Sequence, residues 1–223
     1  EGAYVVLSGR DGVRLEETAA GLPEGHAVTV PVDNADPETP ARLIAAARDA
    51  FGRLDGALIS VGGPRPGPAS QAADEDWRAA FESVFLGAVR IAREVAAELS
   101  EGGSIAFVLS SSVKEPIGGL GISNGLRPGL GMVAKELATE LGPRGIRVNA
   151  LLPGRIGTDR VRELDESTGD AEAARTASLT RIPLGRYGEP VEFGRAAAFL
   201  LSPAASFVSG VMLPVDGGQL RSL

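Results

Sequence analysis

Along this chain, short apolar runs alternate with amphipathic windows of helical period. "AYVVLS" (3–8) precedes "GVRLEETAAGL", and "AVTVPV" (27–32) precedes "PETPARLIAAARDAFG", in which Leu43, Ile44, Ala47 and Phe51 recur at helical spacing. The spacing then predicts a strand in "DGALISV" (55–61), a long helix from about Asp74 to Leu99, and a strand in "GSIAFVLS" (103–110). A helix from about Ser123 to Leu141, a strand in "IRVNALLP" (146–153), helical stretches near 159–178 and 189–202, and a last strand in "VMLPVDGG" (211–218) follow. Strands that alternate with helices are joined by crossovers, so they lie parallel, and helices must then cover both faces of the sheet. The expectation is an α/β fold, a doubly wound parallel sheet in three α/β/α layers, over one domain spanning 1–223.

Composition narrows the function. With 29 acidic against 22 basic side chains the formal net charge is -7 and no basic block is segregated, so neither nucleic acid nor an anionic membrane is an expected partner. The chain has no Cys and a single His26, which excludes thiolate chemistry and a His-rich metal site, and fits a cytoplasmic address. No apolar run approaches the roughly 18 residues of a membrane span. The loops richest in Gly and Pro, "GGPRPGP" (62–68) and "KEPIGGLG" (114–121), directly follow strands, where doubly wound sheets place their ligand crevice.

Two stretches carry a specific resemblance. "ELGPRGIRVNALLPGRIGT" (140–158) and "PLGRYGEPVEFGRAAAFLLSPAASFVSGVMLPVDGG" (183–218) resemble the short-chain dehydrogenase/reductase family, and the likeness extends over nearly the whole chain. It implies a Rossmann-like domain that binds a nicotinamide cofactor and a small-molecule substrate. Pro153 and Gly154 would border the nicotinamide, and Gly62 would close a strand that in the family ends Asn-Asn-Ala-Gly. Asp33 and Asn34 resemble the adenine contacts, with a strand-end turn capped by Asp36 as the alternative. Gly9 stands where an NAD-preferring protein carries an acid, and Arg10 beside it suits a 2′-phosphate, so NADP is expected over NAD, with NAD still open. Arg155, Asp159 and Arg160 fall where the family's substrate lid begins, a solvated helix start being the other reading. Tyr187 is read as a packing residue.

At the catalytic positions the resemblance breaks down. Anchoring the helix on "KELATELGPRGIRVN" puts Ser123 at the position of the family's Tyr, Arg127 at that of its Lys, Ser110 at that of its Ser, and Val84 at that of its Asn. One of four is kept. Hydride transfer to a carbonyl needs a proton carrier whose pKa can approach 7, which a Tyr beside an ammonium supplies and a Ser hydroxyl does not. Arg127 can hold a ligand but is too basic for relay, and Ser123 has a structural alternative as a helix N-cap, with Pro128 in an early turn. Nothing matches the Gly-rich strand-turn-helix that cradles a pyrophosphate. In the implied order 3-2-1-4-5-6-7 the strand so missed is central. Its loss would bare the edges of two buried strands or force "AYVVLS" to pair with "GALISV". Because Glu1 leads almost at once into a strand, the expectation is a chain that lacks about 30 residues, the length of a βα entry unit.

Two functions remain. One is an NADP-linked oxidoreductase of a small carbonyl or alcohol with an impaired centre, in which Ser110, Ser123 and Arg127 face the substrate. The other is a non-catalytic relative that serves as a binding or partner subunit. In either case a homotetramer, or at least a homodimer, is expected. The family's helices equivalent to 74–99 and 123–141 pack on symmetry mates, and Ala88, Ala96, Ala97, Gly129 and Gly131 would permit close approach. Light scattering at micromolar concentration should return a multiple of the chain mass; the mass of one chain would refute the expectation.

Overall fold

Each predicted apolar run forms a strand, and every strand pair is parallel. The computed structural model describes residues 2–222. Strand β1 (Val5–Gly9) leads into α1 (Gly12–Ala20), β2 (Ala27–Pro31) into α2 (Thr39–Phe51), and β3 (Gly56–Ser60) into α3 (Asp74–Ala80) and α4 (Gly87–Glu98). There follow β4 (Ser104–Val108), α5 (Gly121–Leu141), β5 (Arg147–Pro153), α6 (Asp159–Glu166), α7 (Ala171–Leu179), α8 (Pro190–Leu201) and β6 (Met212–Val215).

The period of two in the central strands assigns their side chains to two helical layers. Ile105 and Phe107 of β4 face a core built with Ile91 and Val95 of α4 and Leu130 and Ala134 of α5. Ala106 and Leu151, on the opposite face, pack with Ala197 and Leu200 of α8. Ile105, Ala106, Phe107 and Leu151 are completely buried, which explains why β4 and β5 read as continuous apolar runs.

Two buried polar residues of β5 tie this sheet to its surroundings. Arg147 donates from Nη1 to Leu200 O at 2.6 Å and from Nη2 to Ser202 O at 3.0 Å, placing a cation on the C-terminal carbonyls of α8. Asn149 donates from Nδ2 to Val208 O at 2.8 Å and accepts from Val211 N at 3.0 Å, fixing the turn that enters β6.

Three features differ from the sequence reading. The helix expected from Asp74 to Leu99 is interrupted by a π-helical segment, Phe81–Leu86, which carries Val84. Helix α5 starts at Gly121, so Ser123 lies inside its first turn and is not its cap, and Pro128 stands at its eighth position. Finally, the small residues invoked for contact between subunits are used within the chain. Ala88 and Ala96 are buried, and a Cβ on Gly129 or Gly131 would lie 2.9 Å from Phe85 or 3.0 Å from Val113. Only Ala97 of that set is exposed.

Among the described residues the strands form two sheets, β1-β2 and β3-β4-β5-β6. Of the two arrangements considered for this region, the structure adopts open edges: β1 pairs only with β2, and β3 only with β4. Helix α2 spans the break by packing on β1, β2 and α4. The loop after β2 is set by a close approach, because a Cβ on Gly87 of α4 would come within 2.2 Å of Asn34 O. Gly87→Ala should therefore lower stability by about 1–2 kcal/mol in urea denaturation, the clash outweighing the gain in helix propensity. An unchanged or raised midpoint would show that the loop carrying Asp33 and Asn34 is not held by this contact.

Candidate functional site

The C-terminal ends of β1, β2 and β3 surround a cavity of about 370 Å³. Its walls include Gly9, Arg10, Asp33, Asn34, Gly62 and Val84, six residues singled out from sequence, with Ser60 among the others. Arg10 is exposed and, among the described residues, has no ion-pair partner. The Asp33 carboxylate accepts from Ala35 N at 2.9 Å, and its carbonyl accepts from Thr39 Oγ1 at 2.6 Å, so the loop is braced from within. Arg65 and Asp76 lie 3.7 Å apart across the same cavity's lining.

Behind the Gly62 wall lies Arg127, projected from α5 and only 5% exposed. Its Nη1 donates to Val108 O at 2.7 Å, and its Nη2 to Val61 O at 3.2 Å and Gly62 O at 3.1 Å. The guanidinium thus joins the residues that end β3 and β4. Its Nε is buried without a partner. No carboxylate pairs with it among the described residues, and burial pushes its pKa down to about 10. At neutral pH it is still a cation, too basic to hand a proton to a substrate.

The Ser110 Oγ accepts from Ser112 N at 3.1 Å, which leaves the hydroxyl hydrogen free to donate. Ser123 is buried at 8% exposure, one helical turn from Arg127 on α5. The preceding loop is locked to this helix by Asn124, which accepts from Ile117 N at 3.0 Å and donates to Ile117 O at 2.8 Å.

Pro153 ends β5, and Gly154 N donates to Val215 O at 3.1 Å. A Cβ on Gly154 would lie 2.6 Å from that of Asp216, so the turn requires glycine for space. Arg155 Nη1 donates to Asp165 Oδ1 at 2.9 Å. Arg160 Nη2 donates to Pro64 O at 2.8 Å, which brings the start of α6 onto the loop after β3. Asp159 pairs with Arg14 of α1 and with Arg162. None of Ser110, Ser123, Arg127, Pro153, Gly154, Arg155, Asp159 and Arg160 lines the cavity itself. Asp165 was missed from sequence. Its role depends on partners 10 and 22 residues away, a spacing without a local signature.

Residues 1–219 match a family described as enoyl-(acyl carrier protein) reductase. An uncharacterized oxidoreductase of Mycobacterium tuberculosis is 37% identical over 229 residues, covering 97% of this chain and 82% of that protein. L-sorbose reductase from Gluconobacter frateurii, solved with NADPH and L-sorbose, superposes with a TM-score of 0.91 at 31% identity, over 100% of this chain and 89% of that one. A short chain oxidoreductase from Pseudomonas aeruginosa, described as containing an atypical catalytic center, gives 0.90 at 26% identity with the same coverage.

The clamp at Arg127 makes a direct prediction. Arg127→Lys replaces a planar fork by a point charge that cannot serve three separated carbonyls, and should cost about 1–3 kcal/mol in urea denaturation. Unchanged stability would show that the clamp contributes nothing.

Proposed function

Because this chain belongs to the short-chain dehydrogenase/reductase family, we propose that it is an NADP-linked oxidoreductase of a small carbonyl or alcohol, with a centre that polarises its substrate but lacks the usual proton relay. The oxidoreductase part of this reading is carried by the cavity at the strand ends with its unpaired Arg10, and the impaired centre by the state of Arg127. Three of its donors are spent on the Val61, Gly62 and Val108 carbonyls, and no tyrosine stands on α5 one turn before it.

The residues present suit the cofactor at both ends. Arg10, unpaired on the cavity wall, would take the 2′-phosphate, and Asp33 and Asn34 the adenosine end. The orphaned Nε of Arg127 is a buried donor that a ligand group or a water would satisfy. Pro153 and Gly154 would flank the nicotinamide, and Arg155, Asp159 and Arg160 would form the start of the cap over the substrate. Bound NADPH would supply the hydride. Ser110 would donate its free hydroxyl hydrogen to the substrate oxygen, stabilising developing negative charge. With Ser123 and Arg127 unsuited to proton transfer, the proton would come from solvent. The oligomer proposed above would use exposed residues near α4 and on α5, such as Phe81 and Met132.

The alternative, a non-catalytic binding or partner subunit, is favoured by the same immobilised Arg127. Nucleotide binding and turnover separate the two. In calorimetry NADPH should bind about tenfold tighter than NADH, and Arg10→Ala should remove the difference. NADPH oxidation across small aldehydes and ketones should be slow. It should rise about 10²–10⁴-fold when Ser123→Tyr, Arg127→Lys and Val84→Asn are combined, that being the usual worth of a positioned acid. No single member should suffice, because such residues act as a unit. Fast reduction by the unaltered protein would refute the impaired centre, and failure to bind either nucleotide would favour the partner subunit.

A further inference from the structure

A buried polar cluster lies where three segments meet, outside the residues invoked above except for Arg155. Asp165, near the end of α6, is 6% exposed and uses both carboxylate oxygens. Its Oδ1 accepts from Arg155 Nη1 at 2.9 Å and its Oδ2 from the Tyr187 hydroxyl at 3.0 Å. Tyr187 is itself buried, and the Arg175 guanidinium of α7 lies 4.4 Å from the centre of its ring. A buried carboxylate is tolerated only when paired and fully hydrogen-bonded, so the geometry around Asp165 is strongly specified.

The backbone repeats the connection. Gly188 N donates to Arg155 O at 2.9 Å and Gly157 N to Gly188 O at 2.8 Å, a parallel bridge beside the same side chains. Arg155 follows Pro153 and Gly154 directly, while Tyr187 leads into α8 and its loop is held by Arg186, which donates to both oxygens of Glu192. The other end of α6 is held differently. Asp159 meets Arg14 and Arg162 through exposed ion pairs, which contribute little in water, and Arg160 reaches the Pro64 carbonyl.

Resting on the oxidoreductase reading, we infer that Asp165 is a positioning residue: holding Arg155 and Tyr187 on its two oxygens, it fixes the Pro153–Gly154 turn to the base of the α6–α7 cap. Asp165 acts on the site through Arg155 and touches no substrate.

Hydrogen exchange of the protein without nucleotide tests this independently of any activity. Tyr187→Phe keeps the ring and removes one hydrogen bond, and should speed exchange at Gly157 and Gly188 about tenfold, with α8 and β6 unchanged. Asp165→Asn should speed the same amides about a hundredfold. Arg155→Lys should be milder than Arg155→Met, because an ammonium still meets the carboxylate. NADPH oxidation by Tyr187→Phe, followed in parallel, should show a raised KM with kcat little changed. Exchange that is unaltered at Gly157 and Gly188, or that rises evenly over the chain, would overturn the inference even if the nucleotide binds. Absent nucleotide binding with the local exchange pattern intact would instead sink the oxidoreductase reading.

Discussion

A guanidinium buried without a carboxylate needs neutral acceptors, and at Arg127 these are the carbonyls of residues that end β3 and β4. The ladder already joins the two strands as far as Ser60 and Val108, and one residue of α5 ties the chain at and just beyond its end. Its cost is a charge in a low-dielectric site, seen in the lowering of its pKa to about 10 by desolvation. Its consequence is chemical. On the proposed reading, a cation committed to three backbone acceptors, one turn from the short hydroxyl of Ser123, would organise a site without moving protons through it.

The crevice then divides into two regions with different physics. The cavity side, with Arg10, Asp33 and Asn34, is open and braced mainly by backbone, including the approach of Asn34 O to Gly87. The cap side is locked by side chains. Asp165 binds a residue before α6 and one before α8. The two sheets share no ladder among the described residues, and α2 links them by packing on β1, β2 and α4.

Much of this was legible in the sequence for local reasons. The parallel sheet followed from apolar runs between helical windows, and Pro153–Gly154 from the stretch "RVNALLPGR", because each signal lies within a few residues. Arg127 could be placed on its helix but not given its partners, since carbonyls 19, 65 and 66 residues away carry no side-chain signature. The π-helical segment at Val84 was equally hidden, its period being masked by good helix formers on either side. In sequence Gly129 and Gly131 read as contacts between subunits, whereas within the chain they make room for Phe85 and Val113. Asp165 looked like any acid on a polar helix until Tyr187 and Arg155 closed around it.

The central claim is that Arg127 clamps and does not relay. A crystal structure of the protein with bound NADPH tests it most directly. The account predicts that the Arg127 guanidinium still donates to the Val61, Gly62 and Val108 carbonyls, with Ser110 facing the nicotinamide and no tyrosine hydroxyl beside it. A guanidinium that leaves those carbonyls, with a phenol such as that of Tyr187 placed next to Ser110, would contradict it.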